Sequence, residues 1–410
     1  MGWNSWICYG TSVTEQEVIA TADYMSAHLL DYGWEYITID AGWYAPGMVT
    51  LEQYEDSHPD QLIDEYGRLV VDTLKYPSAI SGAGFKILSD YIHSKGLKLG
   101  IHIMRGIPVQ AFERDTPIKG SRYSARDIAD TVHVCEWYHG FYGIDMSKPG
   151  ATDYYDSIFD LYQEWGVDYV KADDLLSPSY AREDIEAISR AAIRRGIVLS
   201  LSPGPAPIEQ AMHLRSHSAI WRISEDFWDN WESLKKQFAL CAKWVQYNGA
   251  GHFADADMLP IGNMAVRAMR GAPRKTNFTE DEQFTLMTLW VMFRSPLMLG
   301  CVLPDMDDFT RKLVCNKEVL AIDQHSTNNA EVYADDRIII WEALVDASCY
   351  LAVFNISDGD LKYTLDLSLF YSPSYVDDLK EVWTQQIYLP EDGRYSLDIR
   401  AHGVKLLKIS

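Results

Sequence analysis

Acidic residues recur where short apolar runs end. Asp40 follows Tyr36-Ile37-Thr38-Ile39, and Asp173-Asp174 close Tyr169-Val170-Lys171-Ala172. Glu225-Asp226 follow Ile220-Trp221-Arg222-Ile223-Ser224, and Asp255 and Asp257 flank Ala256 just before Met258. His102 and Ser202 end two further runs, and Lys171 and Arg222 are the cations of the set. Two carboxylates facing one cavity, with cations and tryptophans beside them, suit cleavage of a glycosidic bond. One attacks the anomeric carbon or holds a water, and the other protonates the departing oxygen. Side chains on a strand alternate faces, so Lys171 and Asp173 point one way and Asp174, pointing elsewhere, reads as structural. Arg222 and Ser224 likewise share a face, whereas the direction of Asp226, just past its strand, depends on a turn. Lys171 and Arg222 near Asp173 would keep it ionised, as a nucleophile requires. Phe227 and Trp228 next to Asp226 offer an apolar setting that would raise its pKa, as a general acid requires. The pattern does not say which carboxylate attacks, and carboxylates at loop ends also serve as helix caps and ion-pair partners.

Such residues need a frame. Strands are expected at Met1–Trp6, Trp34–Asp40, Leu97–Met104, Asp168–Asp173, Ile197–Ser202, Ala219–Ser224, His252–Asp257 and Pro296–Cys301. Amphipathic helices are expected between them at Glu15–Leu30, Gly84–Ser94, Asp153–Trp165, Arg182–Arg195, Trp231–Tyr247 and Glu280–Phe293. Thr14 with Glu17 and Thr279 with Glu282 have capping-box spacing. This alternation predicts a parallel sheet with right-handed crossovers, closed as a TIM (β/α)8 barrel over residues 1–325. An open doubly wound sheet is disfavoured, because no GxGxxG follows the first strand. Barrel enzymes carry their chemistry at the C-terminal ends of strands, where the polar residues above fall. The long connection 105–152 would lie over that face, with Trp137, Tyr138, Phe141 and Tyr142 as pocket walls. From residue 326 the helices stop. Strands at Glu331–Ala343, Tyr350–Ile356, Lys362–Leu369, Lys380–Tyr388 and Tyr395–Ser410 predict a C-terminal antiparallel β-sandwich over 326–410.

Composition narrows the function classes. The formal net charge of −23 repels phosphate backbones and anionic membranes, so neither nucleic acid nor membrane is an expected partner. No apolar run is long enough to cross a bilayer, and no leader pattern is read at the N-terminus. The six cysteines are scattered without CxxC or zinc-type spacing, and most of them read as free buried thiols. The 11 histidines show no HExxH or similar spacing, so no metal and no organic cofactor is expected. Oligomeric state leaves no mark in the sequence.

Segments spread along nearly the whole chain resemble glycoside hydrolase family 27, the α-galactosidases and α-N-acetylgalactosaminidases. They are MGWNSW, GLKLGIHI, WGVDYVKADD, WRISEDFWDNW, DADMLPIGN and SPLMLG. The resemblance implies that Asp173, in YVKAD, is the nucleophile and that Asp226, following Arg222, is the acid/base. It implies that Lys171 and Arg222 hydrogen-bond ring hydroxyls, that Asp40 grips the far side of the sugar, and that Trp6, Asp257 and Met258 line the pocket. The implied reaction is double displacement on a terminal galacto-configured sugar, with carboxyl groups roughly 5–5.5 Å apart. Carbohydrate is thus the expected partner.

Several positions depart from the family pattern. Ala41 follows Asp40 where two consecutive Asp are typical, which removes a hydrogen bond worth roughly 1.5–3 kcal/mol from the hydroxyls that identify galactose. His102 stands in place of a Tyr. Leu175 occupies the position of a cysteine of the family's active-site disulfide, which suits a reducing, cytoplasmic setting. Ser202-Pro203-Gly204-Pro205-Ala206 replaces a bulkier Glu-Trp loop and leaves room for an N-acetyl group. The expected activity is therefore an α-galactosidase or α-N-acetylgalactosaminidase, with the latter slightly favoured. A β-L-arabinopyranosidase is the alternative within the family, since that sugar is galactose without its hydroxymethyl group. From other classes, a Schiff-base lyase using Lys171 and a non-catalytic sugar-binding module remain.

Overall fold

In the computed structural model the described residues are 1–47, 60–135, 137–267, 272–370 and 378–409. The barrel strands are β1 (Gly2–Asn4), β2 (Tyr36–Ile39), β3 (Lys98–Met104), β4 (Tyr169–Asp173), β5 (Val198–Leu201), β6 (Ile220–Arg222), β7 (Phe253–Asp255) and β8 (Met298–Leu299). They form one eight-stranded sheet in the order β7-β6-β5-β4-β3-β2-β1-β8, the sheet of a (β/α)8 barrel. Each strand is shorter than expected: β3 and β4 lose only their first residue, whereas β1, β2, β5, β6 and β7 also end earlier, their polar terminal residues leaving the ladder for the loops.

Contacts divide the chain into two compact units, Met1–Asp226 with Gly262–Lys275 and Met298–Met306, and Phe227–Ile261 with Thr276–Leu297 and Asp307–Ser410. In the first unit, parallel register aligns Ile39 with Ile101, His102 with Lys171, Met104 with Asp173, and Lys171 with Ser200. Asp40, one step past Ile39, therefore lies level with His102 and Lys171, which places three polar side chains in one layer of the sheet. Helices α1 (Glu15–His28), α2 (Lys86–Ser94), α3 (Ala151–Glu164), α4 (Arg182–Arg194) and α5 (Ala211–His217) belong to this unit. The Glu17 carboxylate accepts the Thr14 N–H at 2.9 Å, as the capping-box spacing predicts.

The 105–152 connection is a folded insert rather than an open loop. Strands Ile107–Pro108, Phe141–Ile144 and Ala129–Asp130 make a three-stranded sheet, with short helices at Val109–Arg114 and Ala125–Ile128. Tyr138 and Phe141, expected in a pocket wall, are buried in it. The Tyr138 hydroxyl is hydrogen-bonded by Gln61, and Tyr142 packs edge-on against Phe112. These aromatics bury the small sheet both within itself and against the rest of the unit, where Phe141 packs edge-on against Tyr44.

The second unit carries α6 (Trp231–Trp244), α7 (Glu280–Phe293), α8 (Asp308–Val314) and α9 (Lys317–His325). Helix α7 starts at a reciprocal Thr279–Glu282 capping box and is buried on nearly all sides, as its run of apolar residues requires. Strands β9 (Thr327–Ala334), β10 (Ile338–Val345), β11 (Ser348–Asn355), β12 (Leu361–Asp366), β13 (Leu379–Glu381), β14 (Ile387–Tyr388), β15 (Arg394–Ile399) and β16 (Val404–Ile409) follow. They pair as a six-stranded sheet, β9-β10-β11-β16-β13-β14, and a two-stranded sheet, β12-β15. Ile340, Leu351, Val353 and Leu407 of the first pack with Leu365, Leu397 and Ile399 of the second in one core.

Three expected strands are each two. Glu331–Ala343 breaks where the Asp335 carboxylate accepts the N–H groups of Arg337 and Ile338 at 2.8 and 2.7 Å, an Asx turn that reverses the chain. Tyr395–Ser410 reverses between β15 and β16, and Ser410 lies outside the described residues. Lys380–Tyr388 divides into β13 and β14, which pair with each other. All six cysteines are free thiols. Among the described residues, no helix is long and apolar enough to cross a membrane.

Candidate active site

The first unit gathers most of the expected side chains at the ends of β1 to β6. Asp40 is buried, and its Oδ2 accepts from Lys171 Nζ at 2.9 Å and from Asn4 Nδ2 at 2.6 Å. Its Oδ1 accepts the Ala41 N–H at 2.8 Å, and its own N–H donates to Ser5 Oγ at 2.9 Å. Burial alone would push this carboxyl up. Lys171, His102 and the hydrogen bonds from Lys171 and Ala41 outweigh that and hold its pKa well below the usual carboxylate range. Burial also penalises the Lys171 ammonium, but the charges of Asp40 and Asp173 prevail and raise its pKa above the ordinary lysine value. A Schiff-base lysine must present a neutral amine, so this pairing speaks against the lyase reading.

Among the described residues, no lysine or arginine is hydrogen-bonded to Asp173. Its Oδ2 lies 3.1 Å from His102 Nε2, and its Oδ1 accepts the Asp174 N–H at 3.0 Å. Burial pushes Asp173 up. The His102 hydrogen bond and charge, then Lys171, then the Asp174 N–H bring it below its ordinary value, so the carboxylate form needed for attack is favoured. His102 is itself buried. Trp43 Nε1 donates to its carbonyl at 2.8 Å, and its Nδ1 has no hydrogen-bond partner among the described residues. Asp174, turned away by a positive φ of 62°, takes a two-pronged contact from Arg105 at 2.8 and 3.0 Å.

The second carboxylate stands differently from expectation. Asp226 Oδ1 accepts from Arg222 at 2.8 Å, and its side chain is 52% exposed. The carboxyl is open to solvent and paired to a guanidinium, not enclosed in an apolar setting. Arg222 pairs with Asp226 because four residues of turn bring Asp226 back over its own strand end, and the Arg222 charge also acts on Lys171.

Ser202 ends β5. Its N–H donates to the Ala172 carbonyl at 2.9 Å, and its buried Oγ has no partner among the described residues. The following loop lies against β6, where Ala206 N–H donates to the Arg222 carbonyl at 3.0 Å. A Cβ on Gly204 would fall 2.2 Å from the Ser224 carbonyl oxygen, so this approach requires glycine. Trp6 is half-buried, and its N–H donates to Asn4 Oδ1 at 2.8 Å. In the second unit, the Asp257 carboxylate accepts the N–H groups of Phe227 and Met258, both at 2.7 Å. Both of its oxygens are thereby held by backbone, and it orders the chain on either side of itself.

Asn4 is a site residue that reasoning from charge passed over. It bridges Asp40 to Trp6 through the two ends of one amide. The signal available was its place at the end of the first strand, in MGWNSW.

Comparison with known proteins places the chain in a family. The family model described as alpha galactosidase A (Melibiase_2) matches residues 1–112 and 122–325. The α-galactosidase of Cyamopsis tetragonoloba is 27% identical over 99% of this chain and 84% of its own. A family 27 β-L-arabinopyranosidase from Geobacillus stearothermophilus is 43% identical, with a TM-score of 0.96 over all of this chain and 95% of that one. A Bacillus halodurans protein provisionally named an α-N-acetylgalactosaminidase is 42% identical, with a TM-score of 0.88 over all of this chain and 96% of that one. The chain belongs to the alpha galactosidase A family, glycoside hydrolase family 27, and is a glycoside hydrolase.

Proposed function

We propose that this enzyme is a retaining exo-glycosidase whose preferred substrate is a terminal β-L-arabinopyranoside. The observation that carries this reading is Ala41. It places a buried methyl group next to the Asp40 carboxylate, where the family typically has a second carboxylate. L-arabinopyranose in its β form has the ring and anomeric geometry of α-D-galactopyranose without the hydroxymethyl group. A site with two carboxylates would leave one unpaired on such a sugar, whereas a methyl leaves none. The similarity to the Geobacillus arabinopyranosidase supports the same choice.

In the proposed reaction Asp173 attacks the anomeric carbon while the bond to the departing oxygen breaks. Asp226 gives its proton to that oxygen. The resulting ester between Asp173 and the sugar is then hydrolysed: Asp226 takes a proton from water, the water oxygen bonds to the anomeric carbon, and Asp173 leaves as carboxylate. Asp40, charged and fixed by Lys171 and Asn4, accepts hydrogen bonds from hydroxyls on the far side of the ring. Trp6 offers an apolar face to the sugar, and His102 keeps Asp173 oriented. The solvent-facing position of Asp226 suits exchange of its proton between turnovers and lies open to a leaving group.

A second reading has its own observation. The small Ser202 with its unpartnered Oγ leaves room for an N-acetyl group, as an α-N-acetylgalactosaminidase needs. Initial rates on p-nitrophenyl β-L-arabinopyranoside, α-D-galactopyranoside and α-N-acetylgalactosaminide separate the readings. The arabinopyranoside is expected to lead in kcat/KM by about tenfold or more, the size of one charged hydrogen bond. A higher value for either of the other sugars overturns the proposal.

A further inference from the structure

Helices α4 and α5, which follow β4 and β5, carry a second group of ionisable side chains that the proposed hydrolysis does not use. Glu186 stands on α4, and His213 and His217 stand one turn apart on α5. Their ligand atoms all lie within 4.8 Å of one another. The two imidazoles lie with ring centres 4.2 Å apart, tilted by 32°. This His-x3-His spacing puts both rings on one helix face, although no Glu completes an HExxH motif.

The hydrogen bonds orient the rings. His217 Nδ1 lies 2.8 Å from the His213 carbonyl oxygen of its own helix, so Nδ1 carries the proton and Nε2 keeps its lone pair. His213 Nδ1 lies 2.6 Å from the Tyr180 hydroxyl, and its Nε2 faces Glu186 Oε1 at 3.3 Å. A histidine that binds metal through one nitrogen characteristically holds the other in such a bond. An ordinary His–Glu ion pair accounts for these facts less well. A charge-assisted contact of that kind closes to about 2.7–2.9 Å, and a charged His213 would face the neighbouring His217 ring. By contrast, metal–ligand bonds of about 2.0–2.2 Å at tetrahedral angles separate neighbouring ligand atoms by about 3.3–3.6 Å, a spacing that His213 Nε2 and Glu186 already have and on which the rest of the group, within 4.8 Å, would close. Arg182 and Arg190 approach the Glu186 oxygens only to 3.9 and 3.7 Å, outside hydrogen-bonding reach, and are its competing partners. The His213 side chain is 8% exposed, which shields the position, while Glu186 at 35% leaves a way in.

We propose that Glu186, His213 and His217 form a binding site for a divalent transition metal of the zinc class, with water as fourth ligand and Tyr180 fixing the His213 ring. Two imidazoles and one carboxylate suit zinc, nickel or copper and not magnesium or calcium. The ion would join α4 to α5. Helix α4 is reached through the loop that leaves Asp173, and Tyr180 is part of that loop. Helix α5 is reached through the loop that begins at Ser202. The site therefore braces both loops from outside, without taking part in the chemistry.

The test uses untagged full-length protein, stripped with chelator and titrated with zinc chloride by calorimetry, with Tm followed against zinc concentration. One zinc per chain is expected, with a Tm that climbs as free zinc rises. His217→Gln and Glu186→Gln should each weaken binding at least about tenfold, and Tyr180→Phe, acting through the His213 ring, about 10–100-fold. All three should fold and retain hydrolysis of the preferred nitrophenyl glycoside. Absence of stoichiometric zinc in the wild type overturns the proposal. So does unchanged affinity in His217→Gln.

Discussion

Lys171 reaches from β4 to Asp40 at the end of β2, and the two meet in a buried ion pair of 2.9 Å. Asp173, two residues on from Lys171, is thereby left to His102. One cation thus anchors the carboxylate proposed to hold the sugar, while a histidine orients the one proposed to attack it.

Breaking that pair from one side leaves a buried charge alone. Asp40→Asn should cost about 3–5 kcal/mol of stability. The depressed Asp40 pKa contributes stability that is present above the unfolded value of about 3.9 and is lost as pH falls through the folded value. The raised Lys171 pKa contributes stability that is present below about 10.4 and is lost as pH rises through the folded value. Urea unfolding of wild type and variant should therefore differ by a constant amount from about pH 5 to 8, and the gap should shrink in stronger acid. A gap that already varies inside that window contradicts the assignment.

His102→Phe removes the group that does most to offset the burial of Asp173. The Asp173 pKa should rise, so the acid limb of the kcat/KM profile should move to higher pH. The plateau should fall by about 10- to 100-fold, the value of one charge-assisted hydrogen bond. An unmoved acid limb would mean that Asp173 is not the group titrating there.

Asp226→Ala offers a separation by leaving group. With a dinitrophenyl glycoside, which departs without protonation, formation of the glycosyl-enzyme should survive. With an alkyl glycoside it should drop by about 10²–10⁴-fold, the usual worth of general acid catalysis. Equal losses on both substrates would remove Asp226 from the acid role.

Ala41→Asp restores the second carboxylate. The kcat/KM ratio of α-D-galactoside to β-L-arabinopyranoside should rise about tenfold, as measured on the nitrophenyl pair. If the ratio stays constant, Ala41 does not set the choice of sugar.

Gly204→Ala drives a methyl group into the Ser224 carbonyl. The loop after β5 must shift, at a cost of about 1–3 kcal/mol. A Tm unchanged from wild type would show that the approach is looser than 2.2 Å implies.

Much of this protein is legible in its sequence for a definite physical reason. Strand and helix periodicities are local, and Thr14–Glu17 and Thr279–Glu282 satisfy backbone groups within a single turn, so the barrel elements and two helix starts can be read residue by residue. Polar residues at strand ends mark the site because a parallel barrel opens its loops there. A period of two also says that Lys171 and Asp173 share a face, but not what they meet on it. Only the register of β2, β3 and β4 brings Lys171 to Asp40 and His102 to Asp173, and only the turn after β6 returns Asp226 to Arg222. Likewise, the packing of Phe141 against Tyr44, the bond from Gln61 to Tyr138, and the meeting of Glu186 with His213 and His217 depend on contacts between residues far apart in the chain. Such contacts are decided when the elements pack, because side-chain reach and burial are properties of the assembled layers and not of any one of them.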